Sequence, residues 1–405
     1  MERFQGLLGI IVIFAVLIGF SRARGHIKWR TLGTGLILQV IFALLVMKWQ
    51  PGVDALKGVA NAVQKLTDFT NEGTKFVFGS LMSDDANAFV FALNVLPVII
   101  FLGTIIQALY YLRVIQYVVD GVGFVLGKIL GVTKIESVWA ATVIFLGQSE
   151  APLLIKPYLP RLTQAQLYTC MCGGFASVAG STLIGYSLLG APLNYLLAAS
   201  LMNAPASIMV AKAFFPDTEK SDLDANVRNV RDEESRNFVD ALSHGAMAGG
   251  RIAIAVGCTL IAFIALIHMF NGIIGGVGHL FGQGNWSLEG LFGIVLSPLA
   301  WLIGTPWDEA TMVANFIGQK TVLNEFVGYT AMSDFVDTMS PKALMISTFA
   351  LAGFANFSSI AIQIGTFSSL VPERRAEVAK LAPLALFGGF CVNMLNAAIV
   401  GVVAS

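Results

Sequence analysis

Two acidic residues, Glu150 and Glu325, stand inside stretches of the sequence that are otherwise strongly apolar. If those stretches lie in a bilayer, each carboxylate costs roughly 2.5 to 3.5 kcal/mol on insertion scales, so each needs a partner or a function. The polar residues that could share a site with them are Gln148, Ser149, Asn324, Asn356 and Ser359. Carboxylate, amide and hydroxyl groups together supply hydrogen-bond donors and acceptors, which suits an uncharged ligand rich in hydroxyl groups.

Other residues in the apolar stretches indicate whether the ligand is charged and whether it contains a ring. An anionic ligand favours a clamp of Arg or Lys side chains, and Lys320 is the only intramembrane candidate. Phe354 and Phe357 could face a planar ring, although a Phe in such a helix more often faces lipid or the core. The residue types therefore predict a neutral solute and leave its ring content open.

The composition is that of a membrane protein. Hydrophobic residues make up 56% of the 405 positions and charged residues 12%, whereas an average globular chain has about 25% charged residues. The 25 basic and 25 acidic residues cancel, so the chain lacks the basic surplus typical of nucleic-acid binding. The four cysteines and four histidines show no metal-binding spacing. We expect a lipid bilayer as the environment, no nucleic-acid partner, no cofactor and no confident metal site.

The apolar segments predict the fold. A spanning helix needs about 20 apolar residues, or somewhat fewer where its ends snorkel, and eight segments qualify: 5–20, 31–47, 88–112, 166–189, 191–213, 251–274, 343–370 and 381–403. Stretches 137–165 and 307–333 are apolar but interrupted near their middles. We interpret them as re-entrant hairpins with polar tips; solvent loops are the alternative. The prediction is an all-α polytopic membrane protein with about eight transmembrane helices plus two re-entrant hairpins.

Basic residues predict the orientation. The first loop carries four of them, namely Arg22, Arg24, Lys28 and Arg30, which marks it as cytoplasmic. Eight crossings then place both termini on the periplasmic side of a cell inner membrane. Segment 51–79 has apolar residues at helical spacing and predicts an interfacial amphipathic helix. The polar segment 214–250 predicts a cytoplasmic linker.

An internal repeat divides the chain. Gly174-Phe175-Ala176-Ser177 is echoed by Gly353-Phe354-Ala355-Asn356, and Asn203-Ala204 by Asn396-Ala397. Each unit is predicted to cross the membrane three times, so the second copy inserts upside down. Inverted-repeat transporters hold their substrate near the midplane at broken helices. The predicted parts are an N-terminal region, the first repeat, the linker and the second repeat, at 1–87, 88–213, 214–250 and 251–405.

Three motifs carry a resemblance to a known family. Residues 147–155, GQSEAPLLI, resemble the GQTEAPLLI motif of the concentrative nucleoside transporter family. Residues 318–327 resemble its G-x-K-x-x-x-N-E-F-V motif, and residues 354–359 its FANFSS motif. The similarity extends over nearly the whole chain. It implies a secondary active symporter that imports nucleosides, assembled as a homotrimer and working by an elevator-type motion.

The resemblance also implies roles for particular residues. It places Gln148, Ser149, Glu150 and Thr182 against the nucleobase, with Phe354 packed on the base. It assigns the ribose hydroxyls to three further residues, namely Glu325, Asn356 and Ser359.

The chain departs from the family motifs at two positions. Ser149 replaces a Thr, which keeps the hydroxyl and removes a methyl group. Val143 replaces the Asn that helps to bind the ion in sodium-coupled members, and a valine side chain offers a hard cation no oxygen. Ser177 and local carbonyls remain as ligands. We therefore expect coupling to H⁺ through Glu325 first and Glu150 second, with Na⁺ coupling as the alternative.

Three other classes compete with this interpretation. An intramembrane enzyme is disfavoured because the chain has neither G-x-S-x-G around Ser149 nor H-E-x-x-H, so we expect no enzymatic activity. A channel would use the polar interruptions as a pore lining, although channels are usually symmetric about the membrane normal. A transporter of a nucleobase or an amino acid remains the third alternative.

Overall fold

The computed structural model describes residues 2–82, 90–221, 223, 227–232, 235–280, 282 and 286–404. The predicted boundary between residues 87 and 88 lies outside the described residues. So do four acidic residues of the predicted linker, namely Asp222, Asp224, Glu233 and Glu234.

The described chain is all-helical. Its α-helices, in chain order, are α1 Glu2–Gly19, α2 Trp29–Met47, α3 Gln50–Phe78, α4 Phe91–Asn94, α5 Leu96–Tyr111, α6 Val114–Leu130, α7 Lys134–Thr142, α8 Ala151–Leu154, α9 Gln164–Ala176, α10 Gly180–Leu188, α11 Leu193–Phe214, α12 Phe238–Leu280, α13 Leu288–Leu302, α14 Trp307–Val322, α15 Glu325–Ser333, α16 Pro341–Leu351, α17 Phe357–Leu370 and α18 Arg375–Ala404. Short 3₁₀ turns cover Arg24–His26, Gly79–Met82, Lys156–Arg161, Val227–Asn229 and Pro372–Arg374.

Within the described ranges, six helical stretches are long and apolar enough to cross a membrane, and a bent pair makes up to seven. The six correspond to the second to sixth and the eighth predicted segments. The first predicted segment, 5–20, lies in α1, which belongs to the shorter apolar helices. The bent pair is α13 and α14, which meet at 115°; α13 was not among the predicted segments. Gly304 lies at this bend with φ of +105°, a conformation that favours glycine.

Both predicted hairpins are interrupted where the polar residues occur. In the first, α7 ends at Thr142 and the short α8 begins only at Ala151. In the second, α14 ends at Val322 and α15 begins at Glu325. The helix breaks therefore coincide with the two acidic residues.

Two predicted segments, 166–189 and 343–370, are not continuous helices, contrary to our expectation. The first is split into α9 and α10 and the second into α16 and α17. At the second break, a Cβ on Gly353 would lie 2.3 Å from Asn393 Oδ1 and 2.6 Å from the Ala176 carbonyl oxygen. Only a glycine permits this close approach. Hairpin, broken helix and continuous helix thus occur twice in the same order, although the breaks themselves were not predicted.

The long helix α12 begins at Phe238 and not at residue 251, so the last part of the predicted linker is helical. The charged residues of segment 214–250, such as Asp217, Glu219 and Arg236, had suggested a solvated linker throughout. Small residues at a spacing of four, namely Ala241, Gly245, Gly249 and Ala253, are buried. A Cβ on Gly245 or Gly249 would contact α5 at 2.7 to 2.8 Å. Close packing of the α12 backbone against α5 therefore stabilises the helical conformation of the first turns of α12.

A buried ion pair fixes the base of the first hairpin. Lys212 on α11 pairs with Glu136 on α7 and with Asp217 beyond the end of α11. Lys212 and Glu136 are 2% and 0% exposed. Two buried opposite charges of this kind stabilise only when both are present, so the pair holds the hairpin arm against α11.

The carbonyl ends of the two broken helices meet at one polar cluster. Asn393 on α18 donates through Nδ2 to the carbonyl oxygens of Ala176, at 2.9 Å, and Ala352, at 3.0 Å. Lys320 Nζ donates to the Ala350 carbonyl oxygen at 3.1 Å and to Asn393 Oδ1 at 2.7 Å. The last carbonyls of a helix lack partners within it. Asn393 and Lys320 supply hydrogen-bond donors to these carbonyls in the buried interior of the protein.

Two asparagines from the repeated Asn-Ala pairs complete the cluster. Asn203 Nδ2 donates to the Ala352 carbonyl oxygen at 3.1 Å, and Asn396 Nδ2 donates to Asn203 Oδ1 at 2.8 Å. Asn396 Oδ1, in contrast, has no hydrogen-bond partner within the described ranges. Asn393 therefore contacts the helix ends directly, and Asn396 contacts them only through Asn203.

Replacing Asn393 by leucine is expected to lower the free energy of unfolding by on the order of 3 kcal/mol. The substitution orphans the Ala176 carbonyl and removes an acceptor from Lys320, at about 1 to 3 kcal/mol for each unsatisfied group. Asn396→Leu is the matched control one helical turn away. We expect a smaller loss, of about 1 kcal/mol, because Asn203 Oδ1 keeps Asn393 Nδ2 as a donor at 3.5 Å. Thermal unfolding in detergent measures both. Equal losses in the two variants would contradict the capping role.

Candidate ligand site at the helix breaks

A cavity of about 480 Å³ lies where the two hairpin tips and the two broken helices meet. All eight residues predicted for the substrate site line it: Gln148, Ser149, Glu150, Thr182, Glu325, Phe354, Asn356 and Ser359. They come from segments far apart in the chain, so the repeat architecture brings them together. Phe357, the other candidate ring, is 55% exposed and does not line the cavity.

Sequence reasoning missed one wall of this cavity. Ile252, Ala255, Val256 and Thr259 of α12 line it. These residues carry no signal in the sequence, because Ile, Ala and Val are ordinary in a spanning helix. The cavity therefore has a polar side from the helix breaks and a largely apolar side from α12.

Three helices begin at the polar side of the cavity, namely α10, α15 and α17. Asn324 caps α15, its Oδ1 accepting from the Val327 N–H at 3.0 Å. Asn356 caps α17 in the same way, accepting from the Ser359 N–H at 2.9 Å. Helix N-termini carry partial positive charge. This end of the site is therefore suited to oxygen-rich groups without any cationic side chain.

Glu325 is the first residue of α15 and is 5% exposed. Its Oε1 accepts a hydrogen bond from the Tyr186 hydroxyl at 3.0 Å, and its Oε2 accepts from Asn356 Nδ2 at 2.8 Å. Tyr186 was not predicted as part of the site. The available signal was its position four residues after Thr182, which places both on one face of α10.

The first hairpin contributes a mixed set of donors and acceptors. Gln148 Nε2 donates to Ser359 Oγ at 2.9 Å, while Gln148 Oε1 is buried and has no hydrogen-bond partner among the described residues. Glu150 Oε2 accepts from the Gly147 N–H at 3.0 Å. The hairpin therefore presents an acceptor at Gln148 and a carboxylate at Glu150 beside the cavity.

The two further residues predicted for ion coupling, Val143 and Ser177, lie outside the cavity lining and are each 1% exposed. Ser177 Oγ donates to the Gly174 carbonyl oxygen at 3.1 Å. The Ser177 carbonyl oxygen accepts from the Phe354 N–H at 3.0 Å, which joins the two helix breaks. Each oxygen of Ser177 thus makes one hydrogen bond and keeps lone pairs that could still bind a cation.

Lys320, the one intramembrane cation considered as a clamp, does not line the cavity. Its side chain is fully buried behind the site and held by the Ala350 carbonyl and Asn393. The described residues that line the cavity include no Lys, Arg or His. The site therefore lacks the clamp that an anionic ligand favours.

Comparison with known proteins places this fold and site in a family. Residues 8–81 match the family model "Na+ dependent nucleoside transporter N-terminus", and residues 195–401 match "Na+ dependent nucleoside transporter C-terminus". Residues 92–193 match a third model, "Nucleoside recognition". An uncharacterised transporter, YutK, of Bacillus subtilis strain 168 is 47% identical over 99% of each chain. The putative nucleoside permease NupX of Escherichia coli K12 is 39% identical over 99% of each chain.

Solved structures agree with the family matches. The transporter CNTnw in an inward-facing substrate-bound state has 42% sequence identity and a TM-score of 0.95, covering 99% of this chain and 98% of that chain. A doubly substituted variant of CNTnw in an outward-facing state has a TM-score of 0.94 and 41% sequence identity, covering 99% of this chain and 98% of that chain. The chain is a membrane transporter and not an enzyme, and it belongs to the concentrative nucleoside transporter family.

Proposed function

We propose that this chain is a symporter that imports nucleosides across a bacterial inner membrane, driven by a proton gradient. The observation that carries the proposal is the cavity at the helix breaks, which is lined by carboxylate, amide and hydroxyl groups and by one ring, Phe354. A nucleoside has ribose hydroxyls and a planar base with hydrogen-bonding edges. The names of two relatives, the nucleoside permease NupC of Helicobacter pylori and the putative nucleoside permease NupX of Escherichia coli K12, support the same substrate class.

The proposed roles follow the chemistry of each group. Glu325, Asn356 and Ser359 receive the ribose, because a carboxylate accepts from two hydroxyl groups while the amide and hydroxyl can donate or accept. The base is placed against the first hairpin and α10, through Gln148, Ser149, Glu150 and Thr182. Gln148 Oε1, which lacks a partner within the described part of the chain, is available to a base N–H. Phe354 packs on the base.

We propose protons as the coupling ion because the sequence removes an oxygen ligand where sodium would bind. Val143 is buried and its hydrocarbon side chain offers no oxygen to a cation. Glu325, with Glu150 second, is a buried carboxylate beside the cavity that could carry the proton. Sodium coupling is the alternative, since the matching family descriptions name Na⁺ and backbone carbonyls can coordinate it.

The proposal includes a homotrimer, an elevator-type motion and periplasmic termini. The outward residues of α12, such as Ile254, Ile261 and Ile273, are exposed, which leaves this face for lipid or a neighbouring copy. The basic residues between α1 and α2 support a cytoplasmic first loop.

Replacing Glu325 by glutamine is expected to reduce concentrative uridine uptake to less than about a tenth, since the amide keeps the shape and loses the charge that accepts hydrogen bonds. Uptake of labelled uridine in proteoliposomes measures the effect. Glu373→Gln removes an exposed acidic residue outside the cavity and serves as the control. Uptake at the wild-type rate in Glu325→Gln would refute the central role of this carboxylate.

The coupling ion is tested by imposing gradients separately on the same proteoliposomes. We expect an inward proton gradient to drive uridine accumulation and a sodium gradient at constant pH to have no effect. Val143→Asn restores an oxygen ligand and is expected to introduce sodium stimulation, whereas Val143→Ala, which supplies no oxygen, is not. Wild-type uptake that requires sodium and ignores pH would remove the proton hypothesis.

The substrate class is tested by competition against labelled uridine. Unlabelled uridine is expected to compete, uracil to compete at least tenfold more weakly, and uridine monophosphate hardly at all. Uracil lacks the hydroxyls for Glu325, and the phosphate finds no cationic side chain at the described cavity wall. Inhibition by uracil as strong as that by uridine would favour a nucleobase transporter. Counterflow of labelled uridine, which a channel cannot sustain, excludes a pore.

A further inference from the structure

The Glu325 carboxylate is held from two different elements, one in each repeat. Tyr186 of α10 donates its hydroxyl to Oε1 at 3.0 Å, and Asn356, the cap of α17, donates to Oε2 at 2.8 Å. A carboxylate offers about four acceptor positions. Each oxygen therefore accepts a hydrogen bond from a protein side chain, and these two donors fix the orientation of the carboxylate.

Tyr186 lies behind the carboxylate and does not line the cavity. It is fully buried, and its ring stacks on Tyr329 with centroids 4.7 Å apart and planes at 24°. Its other neighbour is Phe326, whose ring centroid also lies 4.7 Å away. Phe326 and Tyr329 both belong to α15, the helix that begins with Glu325. The phenol is thus fixed against the same helix whose first residue it contacts.

We propose that Tyr186 is a positioning residue of the transport site, which orients the Glu325 carboxylate and stabilises its ionised form. The proposal rests on the proposed function of Glu325. An ionised carboxylate can only accept hydrogen bonds, so the Tyr186 hydroxyl must donate to it. When Glu325 carries a proton, the acid becomes a donor as well, and the phenol oxygen can accept. The contact is therefore sensitive to the protonation state of Glu325.

Other ionisable groups face the same carboxylate. Lys320 on α14 is a buried cation near the site, and its ammonium is hydrogen-bonded to the Ala350 carbonyl oxygen and to Asn393 Oδ1. Glu150 of the first hairpin lines the same cavity. Tyr329 of α15 uses its hydroxyl elsewhere, donating to the Thr348 carbonyl oxygen at 3.0 Å. Among these groups, Tyr186 donates a hydrogen bond directly to Glu325.

The stacked pair of tyrosines provides a matched experiment. Tyr186→Phe keeps the ring and removes the hydroxyl that contacts Glu325. Tyr329→Phe removes a hydroxyl from the adjacent stacked ring without touching the carboxylate. Both variants are reconstituted, and uridine uptake is measured as KM, maximal rate and pH profile, with thermal unfolding recorded in parallel.

We expect Tyr186→Phe to raise the KM for uridine at least tenfold, since a hydrogen bond to a charged group is lost. The alkaline limit of uptake should move to higher pH, because removing a donor disfavours the ionised carboxylate and so preserves its protonated form. Tyr329→Phe should stay within twofold of the wild type in KM and keep the same pH profile. Identical behaviour of the two variants would overturn the proposal.

A second substitution keeps the test decisive if Tyr186→Phe does not fold. Tyr186→3,5-difluorotyrosine retains the hydroxyl and makes it a stronger donor, so the alkaline limit of uptake should move to lower pH; an unchanged limit would contradict the proposal. The Glu325→Gln variant distinguishes a failure of the proposed function from a failure of the role proposed for Tyr186. Wild-type uptake in Glu325→Gln would refute the proposed function. Loss of uptake there, together with wild-type behaviour in Tyr186→Phe, would refute the role of Tyr186 alone.

Discussion

A helix that breaks inside a bilayer leaves backbone carbonyl and N–H groups that lipid cannot satisfy, so the protein itself must supply their partners. In this chain the carbonyl ends of α9 and α16 converge on Asn393 and Lys320, which are both fully buried. The negative ends of two helix dipoles therefore meet one ammonium group and one amide. Without such a cluster the two breaks would not be tolerated, and without the breaks there would be no cavity.

Capping one set of helix ends leaves the opposite set free to form the site. The second halves of the broken helices, together with α15, begin at the cavity with their N-termini. Asn324 and Asn356 satisfy one N–H group at two of these ends and leave their partial positive charge directed at the cavity. A neutral, oxygen-rich ligand can be bound by such an arrangement without Arg or Lys. Lys320 serves the carbonyl side instead, which explains a buried cation beside a site that lacks one.

Much of this arrangement could be predicted from the sequence because charges in apolar stretches are conspicuous. Glu150 and Glu325 located both hairpin tips. The repeated Asn-Ala pairs indicated the internal repeat, but their part in the capping cluster was not predicted. The break in α9–α10 could not be predicted, since Ser177 and its neighbours carry neither proline nor charge, and the break depends on Asn393 more than 200 residues later. Thr182 came only from the family resemblance, whereas Phe354 was a candidate ring from its residue type. Tyr186 and the α12 wall were found only in the structure.

The position of Glu325 lets one group respond to both solutes of the proposed symport. It is the first residue of a helix, it lines the cavity, and each of its oxygens already accepts one hydrogen bond from the protein. Ligand hydroxyls and a proton must therefore use the same remaining lone pairs, so that binding of one changes the free energy of binding the other. Such coupling is reciprocal by thermodynamic necessity. Under the proposed proton coupling, this shared carboxylate is the group through which the proton gradient would act on the substrate.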